Sequence, residues 1–106
     1  MGKQTLFIYS TLKSTLVQLA LFGRTLSMKE GYLDKYETVS RGDGNYLLFP
    51  KDGAQVVGYL VEISEEEMKV ADSWKDETGF VRKEMPIISQ GGEVMAWVYV
   101  DGRNNV

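Results

Sequence analysis

The stretch Leu6-Phe7-Ile8-Tyr9-Ser10-Thr11-Leu12-Lys13 places a small polar turn directly after a run of apolar residues. Residues 5–9 include aromatic and β-branched side chains, which predicts a short central strand covered on both faces. A turn at the end of such a strand can expose consecutive backbone N–H groups to an anion. The turn is therefore the best candidate for a ligand site in the chain.

The length and composition fit one globular domain spanning residues 1–106, with 43% hydrophobic and 25% charged residues. The sequence contains no cysteine and no histidine. Disulfides, a Ser-His-Asp triad and the usual zinc ligand sets are thereby excluded, and no cofactor or metal is expected. Any acid–base chemistry must come from carboxylates, tyrosine or lysine.

The net charge of −3 argues against a partner with a phosphate backbone, because nucleic-acid binders present a basic face. No apolar run reaches the roughly 20 residues that a membrane helix needs, and the N-terminus does not resemble a signal peptide. We therefore expect a cytoplasmic protein that binds neither nucleic acid nor membrane. A homodimer is compatible with the sequence.

The hydrophobic pattern predicts an α+β domain, in which a mostly antiparallel sheet curls into a small β-barrel flanked by two helices. Periodicity alone does not distinguish this barrel from an open sheet. After the first strand we expect a short buried helix that ends at Gly23, and a second helix begins with the capping box of Ser64 and Glu67. Gly58 marks a bulge or a close backbone approach. The other predicted strands cover residues 31–39, 46–49, 56–63, 80–88 and 94–100, with turn residues at 41–45, 50–53 and 90–92.

Several short motifs, in order along nearly the whole chain, resemble those of the gamma-glutamylcyclotransferase family, which includes the AIG2-like proteins. Each motif is weak alone, but their order and spacing strengthen the resemblance. The matching motifs are Tyr9-x-Thr11-Leu12, Phe22-Gly23, Val57-Gly58-Tyr59, Ala71-Asp72-Ser73-Trp74 and Phe80-Val81-Arg82.

The resemblance implies a mechanism as well as a fold. In that family, backbone N–H groups of the loop after the first strand hold a carboxylate of a gamma-glutamyl substrate. A glutamate at the end of the second helix moves a proton while the substrate's α-amine attacks its own side-chain amide. The products are 5-oxoproline and a free amine. Holding the substrate for ring closure requires neither a metal nor a covalent intermediate.

Two positions depart from the family pattern. Ser10 replaces a glycine of the signature, so its Cβ either restricts the turn or enters the ligand's space. Lys75 stands where the pattern has glutamate, and a lysine cannot serve as that base unless its pKa is strongly depressed. Glu77, two residues later, is the carboxylate that we predict to be catalytic, although a carboxylate in a charged loop is usually only solvated.

The resemblance and the departures leave two main hypotheses. One is an enzyme that cyclises a gamma-glutamyl amine or amide, and the other is a non-catalytic pocket that binds a small anionic metabolite or nucleotide-type signal through Lys75. A third reading is an interaction protein that pairs through its exposed aromatic strand. Lys75 could also lie along the surface with its amine in water. Tyr9 and Tyr99 could be core residues. The predicted substrate-binding residues are Tyr9, Ser10, Thr11, Leu12, Lys75 and Tyr99.

Overall fold

The computed structural model describes residues 2–103. Within that range, five strands and two α-helices follow one another, and a short 3-10 helix precedes the first α-helix. No helix of these residues is long and apolar enough to cross a membrane. In chain order, the elements are β1 (Lys3–Ile8), the 3-10 turn (Thr11–Lys13), α1 (Thr15–Phe22), β2 (Lys29–Ser40), β3 (Tyr46–Ser64), α2 (Glu65–Asp76), β4 (Phe80–Ser89) and β5 (Gly92–Asp101).

The five strands form one sheet in the closed order β1-β3-β2-β4-β5. The pairings β1–β3, β2–β3, β2–β4 and β4–β5 are antiparallel. The sheet closes where β1 pairs in parallel with β5, at Leu6 with Trp97 and Phe7 with Val98. The predicted α+β class with a mostly antiparallel sheet is confirmed, and β1 pairs with β3 on one side and with β5 on the other.

The two strands predicted at residues 46–49 and 56–63 are one continuous strand, β3, so that prediction of a break was wrong. Pro50 lies inside β3 opposite Tyr36 of β2. This half of β3 pairs with β2, whereas β1 pairs only with residues 59–64. A proline is tolerated there because the missing N–H can lie on the side without a partner strand.

The first helix ends at Gly23 as predicted, with φ of 71°, but the helix is not buried. Leu16 is 77% exposed and Leu19 is 48% exposed. Within α1, all of which is described, the buried residue is Gln18. The apolar residues of α1 surround the helix instead of marking one face, and such a pattern does not identify the side that contacts the core.

Gln18 fastens α1 to the turn that precedes it. Its Nε2 atom donates to the carbonyl of Leu12 at 2.9 Å, and its Oε1 atom accepts from the amide of Leu26 at 2.8 Å. Both bonds are buried. A buried polar group must be hydrogen-bonded to avoid a large desolvation cost, so these bonds fix the distance between the 3-10 turn and α1.

The second helix begins with the predicted capping box. The amide of Glu67 donates to Ser64 Oγ at 3.1 Å, and the amide of Ser64 donates to Glu67 Oε1 at 2.9 Å. Arg24, just after α1, pairs with the same carboxylate at 2.7 Å. The hydrogen bonds from Arg24 lower the pKa of Glu67 to about 2 despite some desolvation. The buried face of α2 consists of Met68, Ala71 and Lys75.

Gly58 is a site of close backbone approach, as predicted. A Cβ atom at this position would collide with the carbonyl oxygen of Ile8 and the ring of Phe7. Gly58 lies on β3 beside the end of β1. The close contact therefore holds the end of β1, and the turn that follows it, against the sheet.

Candidate functional site

The turn after β1 has the predicted position. Tyr9 is buried, and the 3-10 turn begins directly after Ser10. The amide of Lys13 donates to the carbonyl of Ser10 at 3.0 Å. Thr11 and Leu12 start the turn, so their amides have no carbonyl within it to which they could donate. Ser10 has φ of −138°, which a serine adopts without the strain of a left-handed conformation.

Lys75 lies beside this turn and is 3% exposed. Its Nζ atom is 3.4 Å from Thr11 Oγ1 and 3.4 Å from Asn45 Oδ1. The interpretation of Lys75 as a surface lysine with its amine in water is therefore wrong. The amine is also surrounded by aromatic rings, whose centroids lie at 4.8 Å for Phe80, 5.4 Å for Trp74 and 5.9 Å for Tyr99.

The surroundings of Lys75 are unfavourable to its positive charge. Burial, reinforced by the positive charge of Arg41, lowers the pKa of Lys75 to about 8, and the negative charge of Asp43 offsets part of the effect. Within residues 2–103, no carboxylate lies within ion-pairing distance of the amine. Two neutral oxygens at long hydrogen-bond distances and aromatic rings make up its described contacts.

The cavity beside the amine is very small, with a volume of about 10 Å³. A single buried water needs about this much space, so a larger ligand requires side chains to move. The cavity brings together five of the predicted binding residues, and the sixth, Thr11, contacts the amine from the same side. It is lined by Phe7, Ile8, Tyr9, Ser10, Leu12, Lys75 and Tyr99.

Glu77 is placed differently. It caps the C-terminus of α2, its side chain is exposed, and it does not line the cavity. Thr78, the next residue, donates its hydroxyl to the carbonyl of Lys75 at 2.9 Å. A catalytic role for Glu77 stays a prediction, and it would require the carboxylate to turn from solvent toward the pocket.

The two tyrosines of the site are held by hydrogen bonds. The hydroxyl of Tyr9 donates to the carbonyl of Tyr99 at 2.6 Å, and the hydroxyl of Tyr99 donates to Asp72 Oδ1 at 2.7 Å. Arg82 Nε donates to the same oxygen at 2.7 Å. Burial raises the pKa of both phenols well above the usual value. Neither phenol is therefore a source of phenolate near neutral pH.

Two residues of the site are not predicted from the sequence, and both lie in the loop between β2 and β3. Asn45 reaches Lys75 directly. Arg41 donates to the carbonyl of Thr78 at 2.9 Å and to Asp101 at 3.0 Å, and its guanidinium lies 4.8 Å from the centre of the Phe80 ring. These bonds hold the loop against the end of α2. The glycine-rich pattern marks a loop, but nothing local in it indicates a contact 30 positions away.

The family of the chain follows from comparison with known proteins. A family model described as gamma-glutamyl cyclotransferase, AIG2-like, matches residues 6–105. This protein therefore belongs to that family. No curated protein matches the sequence at a significant level.

Solved structures confirm the fold. A protein from Arabidopsis thaliana, solved in solution, superimposes with a TM-score of 0.83 at 15% identity, and the match covers 100% of this chain and 66% of that one. A structure titled gamma-glutamyl cyclotransferase has a TM-score of 0.77 at 15% identity, with 93% and 66% covered. An AIG2-like protein from Mus musculus has a TM-score of 0.77 at 20% identity, with 94% and 78% covered. This chain thus spans about two thirds of the first two relatives.

Proposed function

We propose that this protein binds a small carboxylate-bearing molecule at Lys75, and that it has no cyclotransferase activity. One observation carries the proposal: a buried ammonium group, without a described carboxylate partner, lies at the helix end where the family pattern has glutamate. A buried charge is costly unless it is paired. An incoming carboxylate would supply the missing partner.

The groups around the amine support this ligand class. A carboxylate next to Lys75 could accept a charge-assisted hydrogen bond from Nζ. The amides of Thr11 and Leu12, which the 3-10 turn leaves without a partner in the turn, could donate to its other oxygen. The ligand would displace Asn45, whose hydrogen bond to Lys75 is long at 3.4 Å and therefore weak.

Binding of 5-oxoproline, glutarate and gamma-glutamyl amides, measured by titration calorimetry, tests the proposal. We expect at least one carboxylate to bind to the wild type, and its affinity to fall by about tenfold or more in Lys75→Met because a charge-assisted bond is lost. Lys69→Met is the matched control, because Lys69 is an exposed lysine on the same helix. Equal affinities in wild type and Lys75→Met would refute the proposal.

The family match and the convergence of the predicted binding residues favour cyclotransferase activity as a second candidate function. In that case the turn amides would hold the substrate carboxylate while the α-amine attacks the side-chain amide, and Glu77 would move the proton. Release of 5-oxoproline from gamma-glutamyl amines and dipeptides distinguishes the two functions. Turnover that is lost in Glu77→Gln would establish the enzyme, whereas no release from any compound agrees with the binding function.

A further inference from the structure

The surroundings of Lys75 match the conditions that make a lysine amine nucleophilic. Lysine becomes reactive in proteins when an apolar pocket or a neighbouring cation disfavours its protonated form. Both conditions hold here, since the amine lies among the rings of Phe80, Trp74 and Tyr99 and is destabilised by the charge of Arg41. An anion-binding role alone does not need this depressed basicity.

We propose that Lys75 forms an imine with a small carbonyl compound that carries a carboxylate, such as an α-oxo acid with two or three carbons. The proposal rests on the proposed function, because the same turn amides would hold the carboxylate. It adds that the ligand reacts with the amine that it contacts.

The reaction balances without any further reagent. The lone pair of the neutral amine attacks the carbonyl carbon, so a C–N bond forms as the π bond of the C=O group breaks. One N–H proton passes to the oxygen, which gives a neutral carbinolamine. The hydroxyl then takes a proton and leaves as water while the nitrogen lone pair forms the C=N bond. The nitrogen finally gives up its second proton, so the two protons lost by the amine balance those gained by the water. Thr11 Oγ1, at 3.4 Å from Nζ, is placed to hydrogen-bond the departing hydroxyl.

The size of the pocket restricts the carbonyl compound. The cavity of about 10 Å³ holds no organic ligand until side chains around the amine move, and a ligand that takes the hydrogen bond of the amine displaces Asn45. The loop that carries Asn45 is fastened by Arg41 to Thr78 and to the buried Asp101. Because these bonds hold the loop in place, the site opens by rotation of the Asn45 side chain and not by movement of the whole loop. The small space gained in this way favours the smallest oxo acids.

Arg41 is a positioning residue for this chemistry. Among the described residues, the charged and titratable groups that face Lys75 are Arg41 and Asp43 from the β2–β3 loop and the phenols of Tyr9, after β1, and Tyr99, on β5. Both phenols stay neutral because burial raises their pKa. Loss of the Arg41 charge should raise the pKa of Lys75. The rate of imine formation in Arg41→Gln should then depend on pH with a midpoint above the wild-type value of about 8, whereas Arg41→Lys should retain that midpoint.

Reductive trapping of the full chain tests the proposal. The protein is incubated with glyoxylate and cyanoborohydride near neutral pH, and peptide mapping measures the modification of each lysine. We expect Lys75 to be labelled about tenfold faster than the exposed Lys69, because burial and the charge of Arg41 disfavour the protonated form of the Lys75 amine. The comparison is internal to the wild type, so it does not depend on the folding of a variant. Labelling of Lys75 no faster than that of Lys69 would overturn the proposal.

Two further probes separate this proposal from the proposed function. Glycolate has the carboxylate without the carbonyl, and glycolaldehyde has the carbonyl without the carboxylate. If glycolate binds in a manner that depends on Lys75 but glyoxylate does not label Lys75, the binding function is retained and imine formation is refuted. Equal labelling by glycolaldehyde and glyoxylate would refute the carboxylate contact. We expect glyoxylate to label Lys75 faster than glycolaldehyde, and glycolate to slow that labelling.

Discussion

Nζ of Lys75 and Oγ1 of Thr11 lie 3.4 Å apart, although 64 positions separate the two residues in the chain. The contact joins the end of α2 to the turn that follows β1, and a small cavity lies between these two segments. The buried amine meets no carboxylate among the described residues, so the folded protein bears an electrostatic cost at this point.

Lys75→Met should stabilise the protein near neutral pH by about 2 kcal/mol, because it removes a buried charge without a close partner. The pKa of Lys75 is about 8 in the folded state, against 10.5 for an ordinary lysine. The unfolded chain therefore binds more protons between these values, and wild-type stability should rise as the pH increases from 8 to 10.5. Urea denaturation at several pH values measures both effects.

The control for this series is Lys69→Met, whose exposed side chain should change the free energy of unfolding by less than about 0.5 kcal/mol. The greater stability of Lys75→Met should disappear above the ordinary lysine pKa of 10.5, where the wild-type amine is neutral in both the folded and the unfolded state. An advantage that is the same at every pH would show that packing, and not charge, is responsible.

Asn45→Asp should give Lys75 the carboxylate that it lacks. The substitution changes the oxygen that already accepts from Nζ at 3.4 Å into a charged one, so the pKa of Lys75 should rise. The new carboxylate should also compete with an external anion for the amine. Carbon NMR of labelled lysines follows the titration, and calorimetry follows the ligand. An unchanged Lys75 titration would contradict the contact, and Asn45→Ala serves as the uncharged control.

Glu67→Gln should lower stability at neutral pH by about 1 kcal/mol, because the pair with the half-exposed Arg24 contributes only modestly. The folded-state pKa of Glu67 is about 2, below the ordinary value of 4.5. The stabilisation is therefore complete above pH 4.5 and is lost as the pH falls toward 2. Acid unfolding of wild type and variant should converge in that window. Glu66→Gln, at an exposed position of the same turn, is the matched control.

Gly58→Ala should destabilise the protein by about 3 kcal/mol, since the new methyl group collides with the carbonyl of Ile8 and the ring of Phe7. Gly91→Ala is a suitable control because a Cβ there meets nothing within 4 Å. Thermal unfolding compares the two variants. Equal melting temperatures would mean that β1 and β3 can separate at this point without cost, contrary to the structure.

The sequence predicts features that depend on neighbouring residues. The capping box of Ser64 and Glu67, the left-handed Gly23 after α1 and the hairpin of β4 and β5 are each determined by residues within a few positions, and the structure contains all three. The convergence of the turn after β1 with Lys75 comes from the family resemblance instead, because no local pattern brings those segments together.

The predictions that failed depend on tertiary surroundings. A proline ends a strand only where its missing N–H would face a partner strand. At Pro50, β3 has a partner strand on one side only, so the strand continues. The leucines of α1 would be buried only if another part of the chain covered the outer side of this helix. Leu16 remains exposed, so the outer side is not covered. Asn45 and Arg41 reach the site through a long hairpin, whose course over the end of α2 cannot be derived from the composition of the loop.

The course of that hairpin depends on an irregularity in the pairing of β2 with β3. Asp34 pairs with Gln55 and Tyr36 pairs with Pro50, so the single residue Lys35 of β2 lies opposite residues 51–54 of β3. Lys35 also has φ of 69°. Extra residues in one strand bend a hairpin and change the direction of its tip. The bulge in β3 thus directs Asn45 and Arg41 toward the end of α2. Deleting residues 52–54 from β3 would equalise the two strands and point the hairpin elsewhere. The Lys75 amine would then be uncovered and return to the chemistry of a lysine in water.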